Sequence, residues 1–136
     1  YSASTTGTVV DEVARELLKL RWQPAIRTQP AFHDDPAYIE AVAQGIEHHL
    51  STLDWEPEVI LASFHGLPKR YLLAGDPYHC HCAKTARLLR ERLGLSESAF
   101  RLTFQSRFGR EEWLQPYTDE TITALAEKEG VKRLAV

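Results

Sequence analysis

The spacing of apolar residues changes character near the middle of the chain. In the first part it is helical. Val10, Val13, Ala14 and Leu17 recur at intervals of three and four, which places them on one face of a helix over residues 8–20. Thr8 with Asp11 has capping-box-like spacing and reads as the start of that helix. Lys19 and Arg21 suit its negative C-terminal end. A short extended piece is expected over residues 25–28. Asp35-Pro36 then opens a second helix, with Asp35 as N-cap and Pro36 in the first turn. Its apolar face is Ile39, Val42, Ala43, Ile46, Leu50 and Leu53.

After Trp55 and Pro57 the pattern becomes that of a buried sheet. Residues 59–64 form a nearly continuous apolar run, as a strand covered on both faces does. Gly75-Asp76-Pro77 breaks the chain and starts a third helix that runs to about Leu93 and stops at Gly94. Residues 100–105 are a second strand, with Phe100, Leu102 and Phe104 on one face. Residues 117–129 are a fourth helix, with Thr118 as N-cap and Gly130 as stop. A third strand begins at Val131. Strand, helix, strand, helix, strand is the order of a parallel α/β sheet flanked by helices, a Rossmann-like arrangement. In such sheets ligands bind beyond the carboxyl ends of the strands. The first strand ends at His65-Gly66-Leu67-Pro68 and the second at Gln105-Ser106-Arg107, so parallel neighbours would bring these clusters to one rim.

Composition narrows the class further. The 136 residues are 43% hydrophobic and 26% charged, a globular balance. Sixteen basic residues scattered among nineteen acidic ones leave a net charge of -3, so there is no footprint for nucleic acid. No apolar run approaches a membrane span, and the polar start at residues 1–8 is not a signal peptide. Two cysteines make no disulfide framework and fit a reducing cytoplasm. The chain has no Met, and its closing strand has no helix after it, so we expect a piece of a longer protein.

The rim residues carry the chemistry. A neutral imidazole at His65 can ligate a metal or accept a proton near neutral pH. The alternative is a histidine that caps the sheet through a backbone hydrogen bond. Gln105, Ser106, Arg107 and Phe108, with the indole of Trp113, form a polar and aromatic cluster suited to a flat, carboxylated aromatic ligand. The alternative there is that Phe108 and Trp113 pack the loop while Arg107 is solvated. His79, Cys80, His81 and Cys82 resemble a metal tract in composition only. On a helix Cys82 falls in line with Tyr78, Ala86, Leu89 and Leu93, whereas Cys80 falls in line with Lys84, Arg87 and Glu91, so the two thiols diverge. His48 and His49 suit a solvated helix C-terminus. No glycine-rich phosphate cradle is present.

Three stretches together resemble the ferrochelatase family. They are Tyr1-Ser2-Ala3-Ser4-Thr5-Thr6-Gly7; Ser63-Phe64-His65-Gly66-Leu67-Pro68 with Gly75-Asp76-Pro77-Tyr78; and Thr103-Phe104-Gln105-Ser106-Arg107-Phe108-Gly109 with Trp113-Leu114-Gln115-Pro116-Tyr117-Thr118-Asp119-Glu120. The resemblance covers the whole chain and is nearest to the enzymes of Gram-negative bacteria. It implies insertion of ferrous iron into protoporphyrin IX to form protohaem, in a cleft between two similar α/β lobes. Residues 1–54 would finish the first lobe and residues 55–136 would begin the second. His65 matches the family's metal-ligating or pyrrole-proton-accepting histidine. Trp113, Gln105, Ser106 and Arg107 fall at or beside porphyrin-pocket positions, and the acidic partner of the histidine lies downstream of this chain. Some family members hold a [2Fe-2S] cluster with one cysteine at the position of Ala3. Ala3 carries no thiol, so no iron–sulfur cluster is expected and no cofactor beyond the substrate iron. Competing readings are a non-catalytic fragment or porphyrin-binding module, and a related chelatase for another metal or tetrapyrrole. Peripheral membrane association is left open, and an isolated fragment with uncovered apolar faces is expected to self-associate.

Overall fold

The computed structural model describes residues 2–136; Tyr1, the first residue of the Tyr1–Gly7 stretch, lies outside the described residues. The elements are α1 (Ala3–Leu17), α2 (Pro36–Ser51), β1 (Val59–His65), α3 (Lys69–Leu73), α4 (Tyr78–Arg92), β2 (Phe100–Gln105), α5 (Thr118–Lys128) and β3 (Leu134–Ala135). The three strands form one parallel sheet in the order β2-β1-β3. The expected α/β architecture is therefore present, although β3 pairs over only two residues, shorter than a strand beginning at Val131. Parallel neighbours need crossovers, and α4 and α5 supply them.

Burial alternates along β1 as a parallel strand covered on both faces requires. Ile60, Ala62 and Phe64 pack against the cluster of Ile39, Ala43, Ala86, Leu89 and Phe100, which joins α2, α4 and β2. Val59 and Leu61 pack against Leu125 of α5, with Val131 and Leu134 alongside. Leu61 is 2% exposed and Leu125 1%; side chains buried to this degree each stabilise the fold by roughly 1.5–3 kcal/mol.

The start of α2 follows its sequence signals. Asp35 Oδ1 accepts from the backbone N–H groups of Ala37, at 2.8 Å, and Tyr38, at 3.2 Å. Arg92 of α4 then grips Glu40 and Glu47 of α2. Ile39 and Ala43 of α2 share this core with Ile60, Ala62 and Phe64 of β1.

Two local expectations change, the start of α1 and the role of Thr118. Helix α1 starts at Ala3 with Ser2 as N-cap, because the Ser2 hydroxyl accepts from Ser4 N–H. Thr8 is interior, and its hydroxyl donates back to the Ser4 carbonyl at 2.8 Å. Of the apolar face read for this helix, Val10 and Val13 are exposed here, as is the neighbouring Val9. Residues 25–28 join no strand. Thr118 opens α5 without capping it; its hydroxyl is used across the sheet, 2.9 Å from Ser63 Oγ and donating to Thr103 Oγ1 at 3.0 Å. The short α3 went unread in the sequence, because five residues carry no periodic signal.

Candidate functional site

The carboxyl ends of β1 and β2 meet where the strand pattern places them. His65 is the register partner of Gln105, and the His65 side chain is exposed while the strand behind it is covered. The next residue is forced to be small. A Cβ on Gly66 would lie 2.7 Å from the Gln105 carbonyl oxygen and 3.2 Å from Trp113 Cε3. This close approach lets the Gly66 N–H donate to the Gln105 carbonyl at 2.8 Å, one residue beyond the ladder.

The segment after Gly66 is sewn to the loop before α5. Leu114 N–H donates to the Leu67 carbonyl at 2.9 Å, and Lys69 N–H donates to the Glu112 carbonyl at 2.8 Å. The Lys69–Glu112 and Arg70–Glu111 ion pairs, each 2.8 Å, run along the outside of the same seam. Exposed pairs such as these each contribute at most about 1 kcal/mol, so the backbone bonds and the apolar packing decide the geometry.

Trp113 sits behind this rim. It is 5% exposed, and its Nε1–H donates to the Phe108 carbonyl at 3.0 Å. The Phe108 ring lies 5.0 Å from it and is itself exposed. In this chain the indole therefore backs Gly66 and holds the Phe108 loop. Gln105 and Ser106 are exposed at the rim. Ser106 has φ 68, a left-handed conformation uncommon for a residue with a Cβ. Such backbone conformations cost of the order of 1–3 kcal/mol and occur where the surroundings impose a sharp change of direction.

Arg107 points elsewhere. Its guanidinium bonds Asp119, at 2.9 Å, and Glu120, at 2.8 Å, and lies 3.9 Å above the Tyr117 ring. The Glu120 and Asp119 carboxylates push its ionisation further up. A carboxylated ligand reaches Arg107 only by exchanging one of these partners.

The histidine and cysteine tract separates as the helical wheel required. Cys82 is fully buried and Cys80 exposed. Burial pushes the Cys82 thiol up to about 11, with the Tyr78 hydroxyl opposing that shift. The His79 ring stacks on Phe104 at 5.6 Å, while His81 stacks on His33 at 3.7 Å. Among the described residues no three His, Cys, Asp or Glu side chains converge on one point. Ala3 lies in the first turn of α1, far along the chain from these groups.

Two contributors were not singled out for a role in the sequence. Gly66 is one; its close approach depends on Gln105 and Trp113, which lie 39 and 47 residues further along the chain. Tyr78 is the other: its hydroxyl donates to the His65 carbonyl at 2.9 Å. The available signal was Asp76-Pro77, since Asp76 Oδ1 accepts from Tyr78 N–H at 2.9 Å and fixes where the helix begins.

An apolar groove of about 510 Å³, lined among others by Val42, Ile46, Leu50, Ile60 and Ala62, opens between α2 and the sheet without including His65. At the rim itself His65, Gln105 and Ser106 are exposed. No helix among the described residues is long and apolar enough to cross a membrane.

Comparison with known proteins covers the entire chain. The family model described as Ferrochelatase matches residues 1–136. The ferrochelatases of Agrobacterium fabrum and Rhizobium meliloti are each 65% identical to it over 136 residues. That of Brucella anthropi is 60% identical over the same length. Each alignment takes in 100% of this chain but only 39% or 40% of the relative. The chain thus spans about two fifths of the length of the curated relatives it matches.

Proposed function

Because the chain belongs to the ferrochelatase family, we propose that the longer protein containing it inserts ferrous iron into protoporphyrin IX, forming protohaem in haem biosynthesis, and that His65 is a catalytic group of that reaction. The observation that carries this reading is the position of His65. It is an exposed imidazole at the carboxyl end of a covered parallel strand, held by a rim whose backbone is fixed on both sides.

Insertion releases two pyrrole N–H protons. An imidazole on one face of the macrocycle accepts one of these protons, the other passing to the acidic partner or to solvent, or it takes the incoming iron as a ligand before passing it to the ring. Gln105 and Ser106, exposed beside it, supply polar contacts at the porphyrin edge. Trp113 keeps the His65–Gly66 turn from collapsing, and Arg107 contributes to binding only by releasing Asp119 or Glu120. The remaining wall and the acidic partner of His65 come from parts of the protein outside this chain, with residues 1–54 and 55–136 assigned to successive lobes. Such a protein acts in the cytoplasm and needs no cofactor beyond its substrate iron.

The test is His65→Ala in the full-length protein. Iron insertion is expected to fall at least about a hundredfold, the usual scale for a positioned proton acceptor, with the unfolding midpoint unchanged. Near-normal turnover in a folded variant refutes the assignment.

A further inference from the structure

The His65 backbone is held from a second direction, by a side chain that comes from α4 rather than from the sheet. The Tyr78 hydroxyl donates to the His65 carbonyl at 2.9 Å. The other end of the same peptide unit, the Gly66 N–H, donates to the Gln105 carbonyl at 2.8 Å. The Tyr78 ring is in turn well anchored. It packs against the cluster of Cys82, Phe104 and Leu114, together with Phe64, Leu67 and Leu72. Its backbone is fixed by the Asp76 carboxylate. One helical turn on, the buried Cys82 thiol interacts with the same hydroxyl. Tyr78 therefore links the start of a helix, a packed core and the carbonyl of the one exposed imidazole on the rim.

We propose that Tyr78 is a positioning residue for His65: its hydroxyl fixes the peptide between His65 and Gly66 and so sets the direction in which the imidazole meets the macrocycle. The inference rests on the assignment of His65 made above. An imidazole that must take a proton from a pyrrole nitrogen tolerates little misplacement, since an error near 1 Å costs on the order of a hundredfold in rate. Removing the hydroxyl takes away one of the two anchors of that peptide, leaving the Gly66 N–H bond to Gln105, without removing the ring from the core. The expected loss is consequently one of orientation, not of substrate binding.

The experiment uses the full-length protein with Tyr78→Phe, His65→Ala and the double variant. Iron and zinc insertion are measured over a range of porphyrin concentrations. Tyr78→Phe is expected to lower kcat roughly tenfold, to leave the porphyrin KM within about twofold, and to shift the imidazole NMR signal that His65→Ala removes. In the His65→Ala background the same change is expected to have no further effect, because residues acting through one another are not additive. Wild-type turnover in Tyr78→Phe, a loss that multiplies with that of His65→Ala, or an unshifted His65 signal overturns the inference while leaving the role of His65 intact. Near-normal turnover in His65→Ala overturns the underlying assignment instead.

Discussion

Gly66→Ala is the substitution to which the rim should respond most sharply. The added methyl lies 2.7 Å from the Gln105 carbonyl oxygen, and ordinary contact begins at 3.4 Å. The difference, about 0.7 Å, must be taken up by backbone, because the obstructing atom is a carbonyl rather than the end of a flexible side chain. Trp113 Cε3 at 3.2 Å blocks the other direction, and Trp113 is itself pinned through Nε1 to the Phe108 carbonyl. The 2.8 Å bond from Gly66 N–H to Gln105 cannot survive that displacement. One lost hydrogen bond costs about 1 kcal/mol and overpacking about 1–3 kcal/mol, so stability should fall by roughly 2–4 kcal/mol. His65 precedes the displaced residue, and a shift approaching 1 Å should lower turnover by roughly ten- to a hundredfold. Metal insertion by the full-length variant and its urea unfolding curve provide the two measurements. Turnover within twofold of the parent, with stability changed by less than about 0.5 kcal/mol, would show that the rim is soft and that its geometry does not set the position of His65.

Other consequences follow from burial. Trp113→Ala should cost about 3–5 kcal/mol through the cavity it leaves, whereas Trp113→Phe should cost less and retain the fold. Calorimetry beside the porphyrin KM of the Phe variant separates a packing indole from one that faces the ligand: a stable variant with a KM raised tenfold would contradict the packing assignment. Alkylation followed by peptide mapping should modify Cys80 in the native protein and Cys82 only after unfolding, and early labelling of Cys82 would mean that α4 is not docked as described. The Cys82 thiol ionises near 11 when folded against an ordinary 9.0. The folded state therefore keeps its proton longer, and the stability this contributes is full below about pH 9 and lost as pH rises toward 11. Cys82→Ala should flatten that part of the stability profile.

The linear sequence already determined the order of the main elements. Asp35-Pro36 marks a helix start because a carboxylate can accept the orphan N–H groups of the first turn, and it does so for Ala37 and Tyr38. The apolar run of β1 and the alternation of Phe100, Leu102 and Phe104 in β2 reflect faces that must be covered whatever covers them. The divergence of Cys80 and Cys82 is fixed by helical spacing alone, and the meeting of His65 with Gln105 follows once two parallel strands are neighbours. Tertiary structure decided what local pattern could not. Thr118 has the chemistry of a cap, yet Ser63 and Thr103 on two strands claim its hydroxyl. Val9, Val10 and Val13 form an apolar face that nothing in this chain buries. Arg107 is free in the sequence but is taken up by Asp119 and Glu120. The need for glycine at position 66, and the reach of Tyr78 to His65, are set by distances between segments far apart along the chain. Periodicity reports which faces are apolar; only the packed chain specifies which partner each polar group meets, because that depends on contacts whose sequence separation carries no local signal.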